Sequence, residues 1–358
     1  MAFSEELKEK LNYYEQVYYS LDKPVPFKGE LFCYPVLVKD YYTFYNNFGC
    51  LSMDKMTKTI VDEFGKSKKV SNPKGIGQSY LEFLIDELQS PTKGAFLTHQ
   101  LMNLFELIFH IPKGMYCPKC GKIHSYEDTF KNLDQYVENK KKEAQAYFES
   151  NFKNLDSQEF KDIGTPQIPK EIIDNITEIA KNEFFLNETV CPDCGEKLRD
   201  VFSIKRENSI PTIMIKSTEL TAKDFDELKA LIPRQNILDY DDDVYMDADL
   251  KEELDLKAKL QNKDYTSPTL EKQIVCVSIA TGISFEELHN ITMRKLSLML
   301  RLIDKKETYY AMLQASMSGM VTFKEGTIKH WIFSEDKKNI KDELTNLDSF
   351  EKKFAQVT

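Results

Sequence analysis

No stretch of this sequence stays apolar for the ~18–20 residues that a bilayer crossing needs. The nearest approach, Phe96 to Ile111, is broken by His99, Glu106 and His110. The opening residues, MAFSEELKEK, are charged and amphipathic and lack the apolar segment of a secretory signal. The chain is therefore expected in the cytoplasm with no membrane association, and disulfides rarely persist in that compartment. Positive charge is also in deficit. Lys and Arg number 48 against 58 Asp and Glu, a formal charge of −10. A protein that coats nucleic acid through its phosphates is normally basic, so a general nucleic-acid coat is disfavoured and only a local basic face remains open.

Several chemistries lack their motifs. There is no Gly-x-Ser-x-Gly elbow and no His-Glu-x-x-His helix. Lys74-Gly75-Ile76-Gly77-Gln78 has no Gly-Lys-Ser/Thr ending and is not a phosphate loop. The acidic run Asp239–Asp249 lacks the glycine and terminal glutamate of a calcium loop and reads as a solvated linker. His99 and His110 lie on an apolar helical stretch and read as core residues rather than catalytic ones. No nucleophile and base pair up, so an enzyme is not expected; a site assembled from dispersed residues is the one catalytic alternative. No repeat or low-complexity tract is visible.

What is present supports a folded protein. The 358 residues are 41% hydrophobic and 30% charged, enough for a sizeable core. At ~100–200 residues per domain this length suits two or three domains.

Most of the chain carries helical periodicity. Helices are expected over Glu5–Leu21, Asp40–Leu51, Ser79–Leu88, Lys93–Ile111, Tyr126–Phe152, Lys170–Phe185 and Thr221–Pro233. In the last third they are expected over Leu250–Leu260, from the Ser267-Pro268 cap to Ala280, after Ser284, over Met293–Ile303 and over Thr308–Met320. Short strands are expected at Leu31–Val38, Val201–Lys205 and Pro211–Lys216, with a loop over Lys66–Gln78 and a hairpin around Lys324-Glu325-Gly326. The fold class is mainly α (α+β): helical lobes with a few short strands. The expected division is an N-terminal helical lobe (1–114), a metal module carrying a helical hairpin (115–206) and a C-terminal helical lobe (207–358).

Of seven cysteines, four fall in two Cys-Pro-x-Cys-Gly turns, Cys117/Cys120 and Cys191/Cys194. Two cysteines separated by two residues reach one ion from a tight turn, and four thiolates suit tetrahedral zinc. The glycine after each pair permits positive φ. One structural zinc on Cys117, Cys120, Cys191 and Cys194 is expected, although the 70 residues between the pairs exceed the usual spacing. Four thiolates leave no open position, so this ion would staple the base of the insertion rather than catalyse. His124 could replace one thiolate, but four cysteines suffice and a surface histidine is the simpler reading. Cys33, Cys50 and Cys276 read as small buried residues. A zinc ribbon can also bind nucleic acid. Lys119, Lys122 and Lys140–Lys142 are diluted by Glu127, Asp128, Glu138, Glu143 and Glu149, a mixed-sign pattern that disfavours it. The segment Tyr309–Phe333, with Met312, Met317, Met320 and Trp331, reads either as partner-facing surface or as an ordinary core element.

Three stretches together, Phe32–Phe44 (FCYPVLVKDYYTF), Ile237–Ile283 and Ser318–Phe333, resemble tailed-bacteriophage proteins of the baseplate-hub or tail-assembly kind. The resemblance covers about half the chain in patches. It implies a non-enzymatic assembly factor or structural subunit whose partners are other phage tail or baseplate proteins, located in the host cytoplasm or in the virion. No catalytic residue carries over. The rival expectation is a zinc-ribbon protein acting on nucleic acid in phage transcription or replication.

Overall fold

The computed structural model describes residues 5–61, 67–153, 169–187, 189–207, 210–238, 240, 268–318, 328 and 330–332. The chain divides into two compact units, Met1–Tyr265 and Thr266–Thr358. Among the described residues it is mainly helical with a few short antiparallel strands, as the periodicity implies.

The first unit is built on long apolar helices. Helix α1 (Glu5–Val17) is followed by a 3-10 turn and a hairpin of β1 (Val25–Lys28) and β2 (Leu31–Cys33). The expected strand to Val38 stops at Cys33. Pro35 follows at once, and Val38–Asp40 turns into a 3-10 helix that feeds α2 (Tyr41–Phe48). The expected loop over Lys66–Gln78 is instead strand β4 (Ser67–Ser71), paired with β3 (Thr57–Val61), and a one-turn helix α3 (Pro73–Gly77) opened by its proline. Local composition hid the strand because its partner, not its own residues, satisfies its backbone.

Helix α4 (Tyr80–Leu88) starts at a capping box: Ser79 Oγ accepts from the Glu82 amide at 3.2 Å, and Glu82 Oε2 accepts from the Ser79 amide at 2.7 Å. Helix α5 (Gly94–Phe109) buries Leu97, Leu101, Leu104, Phe105 and Ile108. His99 and His110 are not core residues: both are exposed, and His110 stacks on Tyr34 with ring centroids 4.0 Å apart.

After a long excursion described below, the chain returns as a three-stranded sheet, β8 (Phe202–Glu207), β9 (Ile210–Ile215) and β10 (Thr218–Leu220), with β9 central. Helix α9 (Ala222–Asn236) then packs on α4, with Phe225 stacked on Tyr80 at 6.2 Å. It runs one turn past Pro233, which removes from the ladder only the N–H that would point at the Lys229 carbonyl. Buried Asn236 fixes its end by accepting from the Val36 amide at 2.7 Å. The expected boundary at 206/207 falls inside β8, and the sheet and α9 belong to the same unit as the N-terminal helices. Phe44, Phe105 and Phe225 are among its largest fully buried side chains, each worth ~1.5–3 kcal/mol relative to exposure.

The second unit, among its described residues, holds α10 (Leu270–Thr281), α11 (Phe285–His289) and α12 (Met293–Met317). The α10 cap is Thr269 rather than Ser267, and Gly282 ends the helix in the left-handed region as expected. Ser284 and Glu287 form the expected capping box of α11. The two helices expected over Met293–Met320 are one continuous helix, because the polar Asp304–Glu307 stretch between them contains good helix formers and no breaker. Cys276 is exposed rather than buried. The acidic run Asp241–Asp249, the helix expected over Leu250–Leu260, the turn around Gly164–Ile168 and the hairpin around Lys324-Glu325-Gly326 lie outside the described residues.

Candidate metal centre

The excursion between α5 and β8 carries the candidate site. Gly114 opens it at a close crossing: a Cβ there would lie 2.2 Å from the His124 carbonyl oxygen, so only glycine fits. The chain then forms β5 (Met115–Tyr116), the first cysteine turn, and β6 (Ile123–His124). After the helical excursion it forms the second cysteine turn and β7 (Arg199–Asp200), which pairs with the other side of β5. The order β6-β5-β7 therefore brings two turns 71 positions apart to the same end of one small sheet.

The two turns share one backbone solution. In each, the glycine amide donates to the carbonyl of the first cysteine, Gly121 to Cys117 at 2.9 Å and Gly195 to Cys191 at 2.8 Å. In each, the first cysteine's amide donates to the carbonyl five residues on, Cys117 to Lys122 at 2.9 Å and Cys191 to Glu196 at 2.7 Å. Gly121 and Gly195 have φ of 74° and 70°, the left-handed region that closes such a turn at little cost only for glycine.

The four sulfurs converge. Cys117 Sγ lies 3.4 Å from Cys194 Sγ, and Cys120 Sγ lies 3.7 Å from Cys191 Sγ. All four lie within 4.8 Å of one another. None is in a disulfide, and these separations are far beyond the ~2.05 Å of an S–S bond. Four thiolates ~2.3 Å from a shared tetrahedral ion sit ~3.8 Å apart, so the arrangement could hold one metal ion. Cys117 and Cys191 are buried, Cys194 is half-buried and Cys120 faces solvent.

The electrostatics also call for a cation. Burial opposes ionisation of Cys117, but the backbone amide of Cys120, the neighbouring Cys194 thiol and the amide of Lys119 bring its pKa down to about 7. Cys194 is favoured by the Glu196 amide, yet contact with Cys117, burial and contact with Cys191 push it up to about 12. Cys120 is likewise raised, because burial and the adjacent thiols outweigh the help of the Lys122 amide. Close sulfurs cannot all ionise alone; a divalent ion removes that repulsion. His124 Nε2 sits 3.5 Å from Cys191 Sγ, and with Asp193 it forms a second, overlapping group of possible ligands. Its place beside a sulfur is that of a group that orients a ligand as readily as replaces one. Lys122 and Asp193 join the two turns by an ion pair at 2.9 Å.

The core beneath the sulfurs is small. Met115, Cys117, Cys191 and Leu198 are buried together, with Tyr126 and Phe130 packed against them. The expected helix from Tyr126 is two: α6 (Tyr126–Phe130), capped by Ser125, and α7 (Leu133–Lys153). Helix α7 pairs with α8 (Lys170–Asn187) through Tyr136 and Phe184, whose rings meet edge-on at 5.5 Å. Phe130 meets Phe185 at 5.1 Å, and the Tyr126 hydroxyl donates to Asp200 at 3.0 Å, tying the helices to the sheet. The hairpin thus stands directly on the four-cysteine sheet.

Residues 259–335 match the family described as YomV second domain, a phage-associated family. The match falls largely on the second compact unit and leaves the cysteine module outside it. No curated protein and no solved structure matches the chain. No helix among the described residues is long and apolar enough to cross a membrane.

Proposed function

We propose that this chain is a non-enzymatic phage protein that binds other virion proteins during tail or baseplate assembly, with one structural zinc on Cys117, Cys120, Cys191 and Cys194. It acts in the host cytoplasm and enters the virion if its partners retain it. The observation that carries the binding role is the four-sulfur cluster. Four thiolates saturate a tetrahedral zinc, so the ion has no position left for substrate and its work is structural. The phage assignment rests on the match of residues 259–335 to a phage-associated family, and the tail role rests on the patches of tail-protein resemblance.

The charge around the cysteine turns supports a protein partner over nucleic acid. Lys122 is paired with Asp193 at 2.9 Å, Lys141 with Glu138 at 2.9 Å, and Lys140 with Glu143 and Glu183 at 3.5 and 3.6 Å. Phosphate binding draws on unneutralised cations, and Lys122, Lys140 and Lys141 are each already paired with a carboxylate. The test is affinity capture with the full chain from infected cells. Recovery of tail or baseplate proteins is the expected result. Recovery of nucleic acid without any tail component, lost steeply as salt rises, would overturn the reading.

A further inference from the structure

A cleft of about 480 Å³ opens where the helical hairpin meets the second cysteine turn. One wall is a face of α7 and the residue before it: Asn132, Gln135 and Asn139. The lining also holds apolar Val190, Pro192 and Leu198, together with His124. Asp128 is the one charged carboxylate in the lining, and neither lysine nor arginine contributes to it.

The amide wall is unusual for this helix. Apart from the apolar side that packs on α8, much of the rest of its surface is charged, carrying Asp134, Glu138, Lys140, Lys141, Lys142 and Glu143. Asn132, Gln135 and Asn139 are exposed, and among the described residues their side chains take part in no hydrogen bond. Each carboxamide presents a donor and an acceptor side by side, the complement of a peptide group. From Asn132 to Asn139 the helical rise is ~10.5 Å, the length of about three residues of extended chain. The volume lies within the ~300–1,000 Å³ typical of ligand sites.

We infer that this cleft binds an extended backbone segment of a partner protein, about three residues long. The carboxamides of Asn132, Gln135 and Asn139 hydrogen-bond its peptide groups, and an apolar side chain lies against Val190, Pro192 and Leu198. The segment is uncharged or basic, because an acidic side chain would face Asp128 with no lysine or arginine in the lining to offset it. A nucleic acid strand is disfavoured for the same reason: the lining offers its phosphates no lysine or arginine. The inference rests on the reading of this protein as a binder of other proteins and specifies where one of them docks.

The test uses the full-length, zinc-loaded chain and a library of random dodecapeptides displayed on yeast. Enriched peptides are synthesised and titrated into wild type, the Gln135→Ala/Asn139→Ala variant and the control Glu138→Ala, with zinc content measured on every sample. The expected result is a shared short apolar core without acidic residues. Affinity falls about tenfold or more in the double variant, from two lost hydrogen bonds, and is unchanged in the control. Failure to enrich any sequence, or equal affinity in the double variant at full zinc content, overturns the inference. A labelled oligouridylate titrated in parallel is expected not to bind. Binding that depends on Gln135 and Asn139 would make the cleft a nucleic-acid site and overturn it as well. Capture of the same tail proteins by wild type and double variant would leave the binding role standing and sink only this cleft.

Discussion

Removing the metal is expected to release the helical hairpin while the rest of its unit stays folded. An ion shared by the two turns closes a loop of 71 positions between Cys120 and Cys191. Treated as a cross-link, that closure is worth about 4 kcal/mol at 25 °C through the entropy it removes from the unfolded chain. In the small cluster around the sulfurs the buried apolar side chains, Met115 and Leu198, contribute roughly 3–6 kcal/mol between them. An ion held there would therefore match that small cluster, two further members of which are Cys117 and Cys191 themselves. The larger core of the unit, with Leu81, Leu84, Leu104, Phe105 and Phe225, lies wholly outside the stretch between the cysteine turns. Limited trypsin digestion is the assay, with Lys140, Lys141 and Lys142 as cleavage sites in α7. Chelation, or Cys191→Ser, should speed cleavage there by two orders of magnitude or more, leaving a resistant core of the remaining unit. Cys276→Ser, at an exposed thiol that is not one of the four, should change nothing. An identical digestion pattern with and without chelator, in protein shown to have held the metal, would refute the reasoning.

Other outcomes follow from the same geometry. Gly121→Ala and Gly195→Ala should each cost about 1–2 kcal/mol by forcing a Cβ into the left-handed region; a Cβ at either position meets no neighbour, so the loss reads out as weaker metal retention in a chelator competition. Phe184→Ala should cost about 3–5 kcal/mol within the hairpin, by removing the buried ring between Tyr136 and Phe130, while metal content stays at one per chain. Asp224→Ala removes the capping-box carboxylate of α9 and should lower stability by about 1 kcal/mol in urea titration. Burial raises the Asp224 pKa, but Lys28 and Thr221 outweigh it and hold the group below its usual value. A lowered folded pKa means that this stabilisation is complete above the unfolded value of ~3.9 and disappears as pH falls through the folded one, so wild type and variant should converge in acid.

The helical character of the chain was readable because it depends on local signals. The capping pairs Ser79/Glu82 and Ser284/Glu287, the apolar spacing in α5 and the stop at Gly282 all act within one or two turns. Strand β4 was not readable, because a strand is stabilised by a partner that local composition does not reveal. The exposure of His99 and His110 is hidden from the sequence for a related reason. A helix with apolar residues nearly all round offers no clear outward face until its neighbours α2, α4 and β2 take up one side of it. The candidate site was legible in its ligands and illegible in its surroundings. Two Cys-Pro-x-Cys-Gly turns name four sulfurs, but nothing in them says that α6 and α7 are separate helices or that a carboxamide face lines a cleft beside Pro192.

The long separation of the two turns has a structural meaning. In a compact zinc ribbon the turns are close in sequence and the ion organises the chain around itself. Here the sheet β6-β5-β7 takes over the organising, because Gly114, Met115 and Tyr116 sit between the returning strand and the outgoing one. With the register fixed by Met115 opposite both His124 and Asp200, an ion held by the four cysteines would need only to lock an end that the sheet has already aligned. The chain between the turns is then free to vary in length, since lengthening a closed loop adds closure entropy only logarithmically. A hairpin on such a base can reach outward without weakening the unit that carries it. Shortening α7 and α8 by two turns each, near Lys153 and Lys170, should therefore leave metal stoichiometry and the thermal stability of the remaining unit within about 1 kcal/mol of wild type. A collapse of metal binding on that shortening would show that the hairpin builds the cluster rather than standing on it.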